Sequence, residues 1–144
     1  MNREYTVEEF KTVADYLLAH VPKLTLATDI ICGFPNETET DFEETMKLVE
    51  HYRFGILNIS QFYPRPGTAA AKMKRIPTQI VKDRSRRLTR LFESFTPYVD
   101  YVGCEEWVLF GTEISEDGQH SVGHNKAYVK VLVPLDGILC GQAR

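Results

Sequence analysis

The stretch Gln61-Phe62-Tyr63-Pro64-Arg65-Pro66-Gly67 holds a lone guanidinium between two prolines. Each proline fixes its own φ, so the backbone on both sides of Arg65 is stiff and the side chain has less freedom to lose on binding. An arginine held this way suits a bidentate grip on a carboxylate or phosphate, and equally a salt bridge within its own loop. Gln61 and Asn58 offer amide hydrogen bonds from the same segment, and Phe62 and Tyr63 can stack on a base or simply pack. A second candidate lies in Thr28-Asp29-Ile30-Ile31-Cys32-Gly33-Phe34-Pro35, where Asp29 interrupts an apolar run. A carboxylate there needs either a buried hydrogen-bonding partner or a ligand. Gly33 reads as a close backbone approach or as a turn, and Glu37 and Thr38 in the exit loop need be no more than caps of the next helix. The three cysteines, Cys32, Cys104 and Cys140, are far apart and show no metal or iron–sulfur spacing, so no metal ligands are expected in this chain. Their odd number, with no apolar leader in MNREYTVEEF, fits free thiols in a reducing compartment, and Cys32 reads as a small core residue.

Charge is distributed unevenly over the 144 residues. The net charge of −3 argues against a general polyanion binder, yet residues 72–90 carry Lys72, Lys74, Arg75, Lys82, Arg84, Arg86, Arg87 and Arg90 against Asp83 alone, a local +7. The segments on either side each sum to −5. Such a block is usually a solvated helix face, but it is also where a phosphate backbone would be drawn. No apolar stretch approaches the length of a membrane span.

The elements that position these residues alternate. Residues 6–20 open with a Thr6/Glu9 capping-box pattern and continue at helical period until Pro22. Residues 24–34 are apolar and β-branched, too continuous for a half-exposed strand and suited to a buried parallel one. A helix over 39–54, a strand over 56–63 closed by Pro64 and Pro66, a short helical turn from Gly67 to Met73, and a helix over 78–95 follow. In that last helix Ile80, Val81, Leu88, Leu91, Phe92 and Phe95 are expected to face inward and the arginines outward. The αβαβα order is that of a parallel sheet or (βα) barrel, whose strand exits carry the active site. From Pro97 the texture becomes short alternating segments with glycine turns, including Glu116-Asp117-Gly118-Gln119, as in a small β-barrel. About four strands' worth of material is present where an OB-like barrel has about five, so that module reads as cut short.

Four ordered segments, MNREYT (1–6), TDIICGFPNETETDFEET (28–45), NISQFYPRPGTAAAKM (58–73) and VGHNKAYVKVLVP (122–134), resemble the radical-SAM methylthiotransferases. The QFYPRPGT form is most similar to their threonylcarbamoyladenosine tRNA branch of eukaryotes and archaea. Asn36 and Ala69 stand where that family usually has Gly and Pro; Asn tolerates a left-handed backbone, so the turn at residue 36 is expected to survive. The resemblance implies an α/β then β architecture: residues 1–96 as the C-terminal portion of a radical-SAM partial (βα) barrel, and residues 98–144 as an incomplete TRAM OB-like β-module.

It further implies S-adenosyl-L-methionine and two [4Fe–4S] clusters in a parent enzyme that inserts a methylthio group at C2 of N6-threonylcarbamoyladenosine at tRNA position 37. The cluster cysteines are not in this sequence, so the chain is read as a fragment not expected to be active alone. The alternatives are a stand-alone tRNA-binding module without catalysis, or the same chemistry on isopentenyladenosine tRNA or a ribosomal protein. Cofactor contacts are expected at Asp29, Gly33, Phe34, Pro35, Gln61 and Arg65. Contacts to the tRNA anticodon stem-loop are expected at Lys72, Lys74, Arg87, Arg90, His124, Lys126 and Lys130, with His120 and Tyr128 on the same face of the β-module. The expected compartment is the cytoplasm, with a membrane-anchored full-length form open in eukaryotes.

Overall fold

A computed structural model describes residues 3–95 and 98–135. Two compact units are present, Met1–Ala14 with Leu26–Thr96, and Asp15–Thr25 with Pro97–Arg144.

In the first unit, α1 (Val7–His20, whose last turn and a half is grouped with the second unit) begins at the expected capping box. Glu9 Oε2 accepts from the Thr6 amide at 2.7 Å, and Thr6 Oγ accepts from the Glu9 amide at 3.2 Å. β1 (Ala27–Cys32) and β2 (Ile56–Gln61) pair in parallel, with α2 (Glu39–Tyr52) as their crossover. α2 starts on a second capping box, Thr38 with Asp41, and stops at Arg53, which turns left-handed at φ 44°. A 3₁₀ turn at Ala69–Lys72 leads to α3 (Thr78–Glu93). Cys32, Phe42, Val49, Phe54, Leu57, Leu88 and Phe95 form the core.

Two expectations need correction here. β1 is not buried on both sides: Ala27 and Asp29 are exposed and only Cys32 is buried, because helices cover one face of a two-stranded sheet and nothing described covers the other. Nor do all the arginines of α3 face outward. Arg84 is 4% exposed and lies on the inner face between Val81 and Leu88, whereas Ile80 is 43% exposed. Arg84 sits three residues after one core position and four before the next, the spacing of an inward face.

In the second unit, β3 (Val108–Ile114), β4 (His120–Asn125) and β5 (Lys130–Pro134) form an antiparallel meander with the order β3-β4-β5. The described residues thus supply three strands rather than four, and neither sheet closes into a barrel. The expected turn joins β3 to β4: Gly118 takes φ 68°, and Asp117 Oδ1 accepts from the Gln119 amide at 3.0 Å and from the Ser115 hydroxyl. These bonds, the Ser115 one foremost, hold the Asp117 carboxyl down to about 2. Gly123 is glycine for packing: a Cβ there would lie 2.6 Å from Val108 Cγ1 and 2.8 Å from the Phe110 ring. Residues 15–25 join this unit through Thr25, whose hydroxyl donates to Ala127 O at 2.6 Å, and through a 2.6 Å Lys23–Glu106 ion pair.

Candidate functional site

Because β1 and β2 are parallel and adjacent, their exits leave the same edge of the sheet. Register then sorts the candidates. Asp29 pairs with Asn58 and Cys32 with Gln61, three positions apart, so these two pairs lie on opposite faces. On the open face Asn58 Nδ2 donates to Asp29 Oδ1 at 2.7 Å, and Asp29, Asn58 and Ser60 are exposed. Asp29 therefore has a hydrogen-bonding partner, but outside the core. On the helix face Cys32 is 1% exposed, and burial pushes its thiol up to about 11. Gln61 belongs to this helix face and donates to Ser85 Oγ of α3 at 2.9 Å, so the structure does not bring it together with Asp29.

The exit of β1 is held by α3. Gly33 is buried at φ 81°, and a Cβ there would fall 2.4 Å from Val81 Cγ2, so the close approach that selects glycine is to a helix side chain. The Gly33 amide donates to Glu37 Oε2 at 3.0 Å. The same oxygen accepts from Arg84 Nη1 at 2.6 Å, and Arg84 Nη1 also reaches Glu37 O at 3.1 Å. Arg84 Nε and Nη2 reach Glu39 Oε2 at 3.3 and 3.1 Å. Arg87 donates to Glu39 Oε1 at 2.5 Å and pairs with Glu43. The bonds from Arg87, then Arg84, hold the Glu39 carboxyl below the usual carboxylate range. Both guanidinium groups lie over the Phe42 ring, at 5.5 and 4.8 Å from its centroid. Asn36 takes φ 69°, the left-handed turn expected where an Asn replaces Gly. Pro35 is buried.

The exit of β2 is stitched to that of β1. The Phe62 amide donates to Cys32 O at 2.8 Å, and the Phe34 and Phe62 rings meet edge to face at 5.3 Å. Three residues on, Arg65 is exposed and has no ion pair among the described residues. Its carbonyl accepts from Thr68 Oγ at 2.8 Å, which fixes the backbone beyond the prolines. Lys72, Lys74 and Arg90 are likewise exposed and unpaired among the described residues, whereas Arg87 is held by two glutamates.

In the β-module, His124 and Tyr128 stack at 4.4 Å with 15° between their planes. Tyr128 is placed by a turn in which Asn125 Oδ1 accepts from the Val129 amide at 2.9 Å, with Tyr128 itself at φ 61°. Lys126 is exposed, Lys130 pairs with Glu113 at 3.4 Å, and His120 with Asp117 at 3.3 Å. An open groove of about 670 Å³ runs beside the stack, lined in part by Trp107, Leu109, His124, Lys126 and Tyr128. Trp107 is 76% exposed, and it is not among the candidates that the sequence alone singles out. The available signal was its position at the head of an alternating strand, where Val108 and Phe110 point inward and Trp107 and Leu109 outward.

No protein-family model matches the chain. It is 57% identical over 141 residues to the threonylcarbamoyladenosine tRNA methylthiotransferase of Drosophila melanogaster, covering 98% of this chain and 25% of that protein. Against the human protein of the same name the identity is 52% over 142 residues, 99% of this chain and 24% of that one. Against that of Caenorhabditis elegans it is 45% over 142 residues, 99% of this chain and 33% of that one. The parallel α/β unit with its joined strand exits and the antiparallel β-module that follows are thus similar, along nearly the whole chain, to part of the tRNA methylthiotransferase class. Within that class, the chain is homologous to the C-terminal quarter of the threonylcarbamoyladenosine tRNA methylthiotransferases. It spans about a quarter of the length of the Drosophila melanogaster and human relatives and a third of the Caenorhabditis elegans one.

Proposed function

We propose that this segment serves a tRNA methylthiotransferase that inserts a methylthio group at C2 of N6-threonylcarbamoyladenosine, position 37 of tRNA, by radical S-adenosylmethionine chemistry. The observation that carries the reading is the junction of the two strand exits at one sheet edge, within a segment matched along nearly its whole length by enzymes named for that nucleoside. The open face then contributes wall residues to a pocket completed by the rest of the protein.

The residues present fit S-adenosylmethionine. Asp29 keeps one oxygen with no partner among the described residues, able to accept from a ribose hydroxyl or an amino group. Arg65 offers an unpaired guanidinium beyond the same edge for a carboxylate, on the cofactor or on the threonylcarbamoyl group. When bound, that cofactor supplies the radical chemistry; this chain's part is to orient it and the adenosine and to exclude water. Phe34, Gly33 and Pro35 shape the rim, and Gln61 steadies it from behind through Ser85.

The described residues do not fit a [4Fe–4S] cluster. Cys32 is a buried thiol, Cys104 donates to Asp100 O at 3.3 Å, and no group of three or more metal-ligating side chains occurs among the described residues. The clusters are therefore assigned to the remainder of the parent enzyme. Contacts to tRNA are assigned to Lys72, Lys74 and Arg90 in the first unit, with Arg87 partly engaged by its glutamates. In the β-module they are assigned to the His124–Tyr128 stack with Lys126 and Lys130.

The test is to incubate the full-length, cluster-loaded protein with S-adenosylmethionine and tRNA carrying either threonylcarbamoyladenosine or isopentenyladenosine, then analyse the nucleosides by mass spectrometry. A methylthio adduct on the first nucleoside only is expected. An adduct on the isopentenyl nucleoside alone would overturn the substrate assignment, and none on either would overturn the activity.

A further inference from the structure

We propose that Lys82, Arg86 and Arg90 form a contact row on the outer face of α3 for the phosphate backbone of RNA, an inference that rests on the tRNA-modifying reading above. The structure divides the basic segment into two groups. Arg84 and Arg87 are engaged by Glu37, Glu39 and Glu43, so their charge is neutralised within the unit. Lys82, Arg86 and Arg90 are exposed and have no ion pair among the described residues.

Their spacing is regular, at i, i+4 and i+8. At about 100° per residue the row spans an arc of about 80° and lies roughly opposite the inward line of Val81, Arg84 and Leu88. Over eight residues it extends about 12 Å along the helix, long enough to face several successive phosphates. The acids near it do not cancel it. Asp83 lies 4.0 Å from Arg87, and Glu93, one turn past Arg90, makes no ion pair among the described residues.

Like charges four residues apart on a helix repel, so an isolated helix gains nothing from this arrangement. A polyanion laid along the row reverses the sign of that interaction and releases its own counterions. The geometry offers no concave pocket and no bidentate fork onto a base. The contact expected is therefore one that positions RNA rather than reads its sequence. An acidic membrane surface would call on the same charges. RNA is favoured because the homologous enzymes are named for a tRNA substrate and because no apolar residue of α3 accompanies the row.

The full-length protein and its K82A/R86A/R90A variant should be compared for binding of a fluorescent anticodon stem-loop as salt rises from about 50 to about 200 mM. For the variant, the plot of log affinity against log salt should flatten by about two to three, at roughly 0.7–0.9 per lost phosphate contact. Affinity at low salt should fall at least about tenfold, with S-adenosylmethionine affinity and Tm unchanged. Single K82Q and R86Q exchanges should each flatten the slope by about one contact's share, so the row remains testable if the triple variant folds poorly. Unchanged slope and affinity would overturn the row while leaving the functional reading intact. So would a loss confined to binding of phosphatidylserine vesicles. A wild-type protein that does not bind the stem-loop at all would overturn both.

Discussion

Arg84 and Gly33 meet on one oxygen: Glu37 Oε2 accepts from the arginine at 2.6 Å and from the glycine amide at 3.0 Å. Through this carboxylate the exit loop of β1 is anchored to a side chain 51 positions later that is 4% exposed. Removing one member of a buried ion pair leaves the other charge desolvated and unpaired.

Arg84→Met should therefore destabilise the protein by about 3 kcal/mol, and Arg84→Lys should recover only part of that, since an ammonium cannot serve Glu37 and Glu39 with one planar fork. Urea unfolding of the three proteins measures both. Equal stability of all three would show that the network contributes nothing.

Gly33→Ala tests the other side of the same anchor. The new Cβ would stand 2.4 Å from Val81 Cγ2 in a backbone at φ 81°. Left-handed strain and overpacking together should cost about 2–4 kcal/mol. Val81→Ala in the same chain should return the packing share but not the backbone share, so the double variant should be more stable than Gly33→Ala alone. A double-mutant cycle in thermal unfolding reads this coupling directly.

Much of this frame was legible in the sequence because local chemistry dictates it. The Thr6/Glu9 cap, the αβαβα order, the left-handed Asn36 and the Asp117-Gly118 turn each follow from residues close in the chain. The misreadings are of another kind. An arginine's type says that it prefers water; only its place between Val81 and Leu88, opposite glutamates more than forty residues earlier, puts Arg84 inside. The strand segment 24–34 looked buried on both faces because apolar content does not record how many layers cover a sheet. Gln61 and Asp29 are expected together because the family resemblance puts both segments at the cofactor. The pleat separates them, and that depends on pairing register, which no single strand carries.

Glu39 links the ion-pair network to pH. Hydrogen bonds from Arg87 and then Arg84 lower its folded pKa from 4.5, so its ionised form favours the folded state. For a carboxyl shifted downward, that contribution is fully present above the unfolded value and is lost as pH falls through the folded one. Glu39→Gln should therefore weaken stability at neutral pH, with the gap to the wild type closing as pH drops below about 4.5. Urea midpoints across that range should converge, whereas a constant gap would mean that the glutamate acts through packing alone.

Trp107 and Tyr128 separate stacking from charge in the β-module. Both aromatic side chains are exposed, at 76% and 65%, and line the same groove as His124 and Lys126. Tyr128 is already backed by the His124 ring at 4.4 Å, so its free face is held ready for a flat partner. Stacking of a nucleobase on an aromatic ring is worth about 1–3 kcal/mol per base. Trp107→Ala and Tyr128→Ala in the full-length protein should each weaken binding of an unpaired oligonucleotide about 5- to 150-fold. Because neither side chain carries charge, the slope against salt should stay that of the wild type, the opposite signature to neutralising lysines. Unchanged affinity at every salt concentration would mean that these rings do not stack on the oligonucleotide, and that RNA engages the module elsewhere.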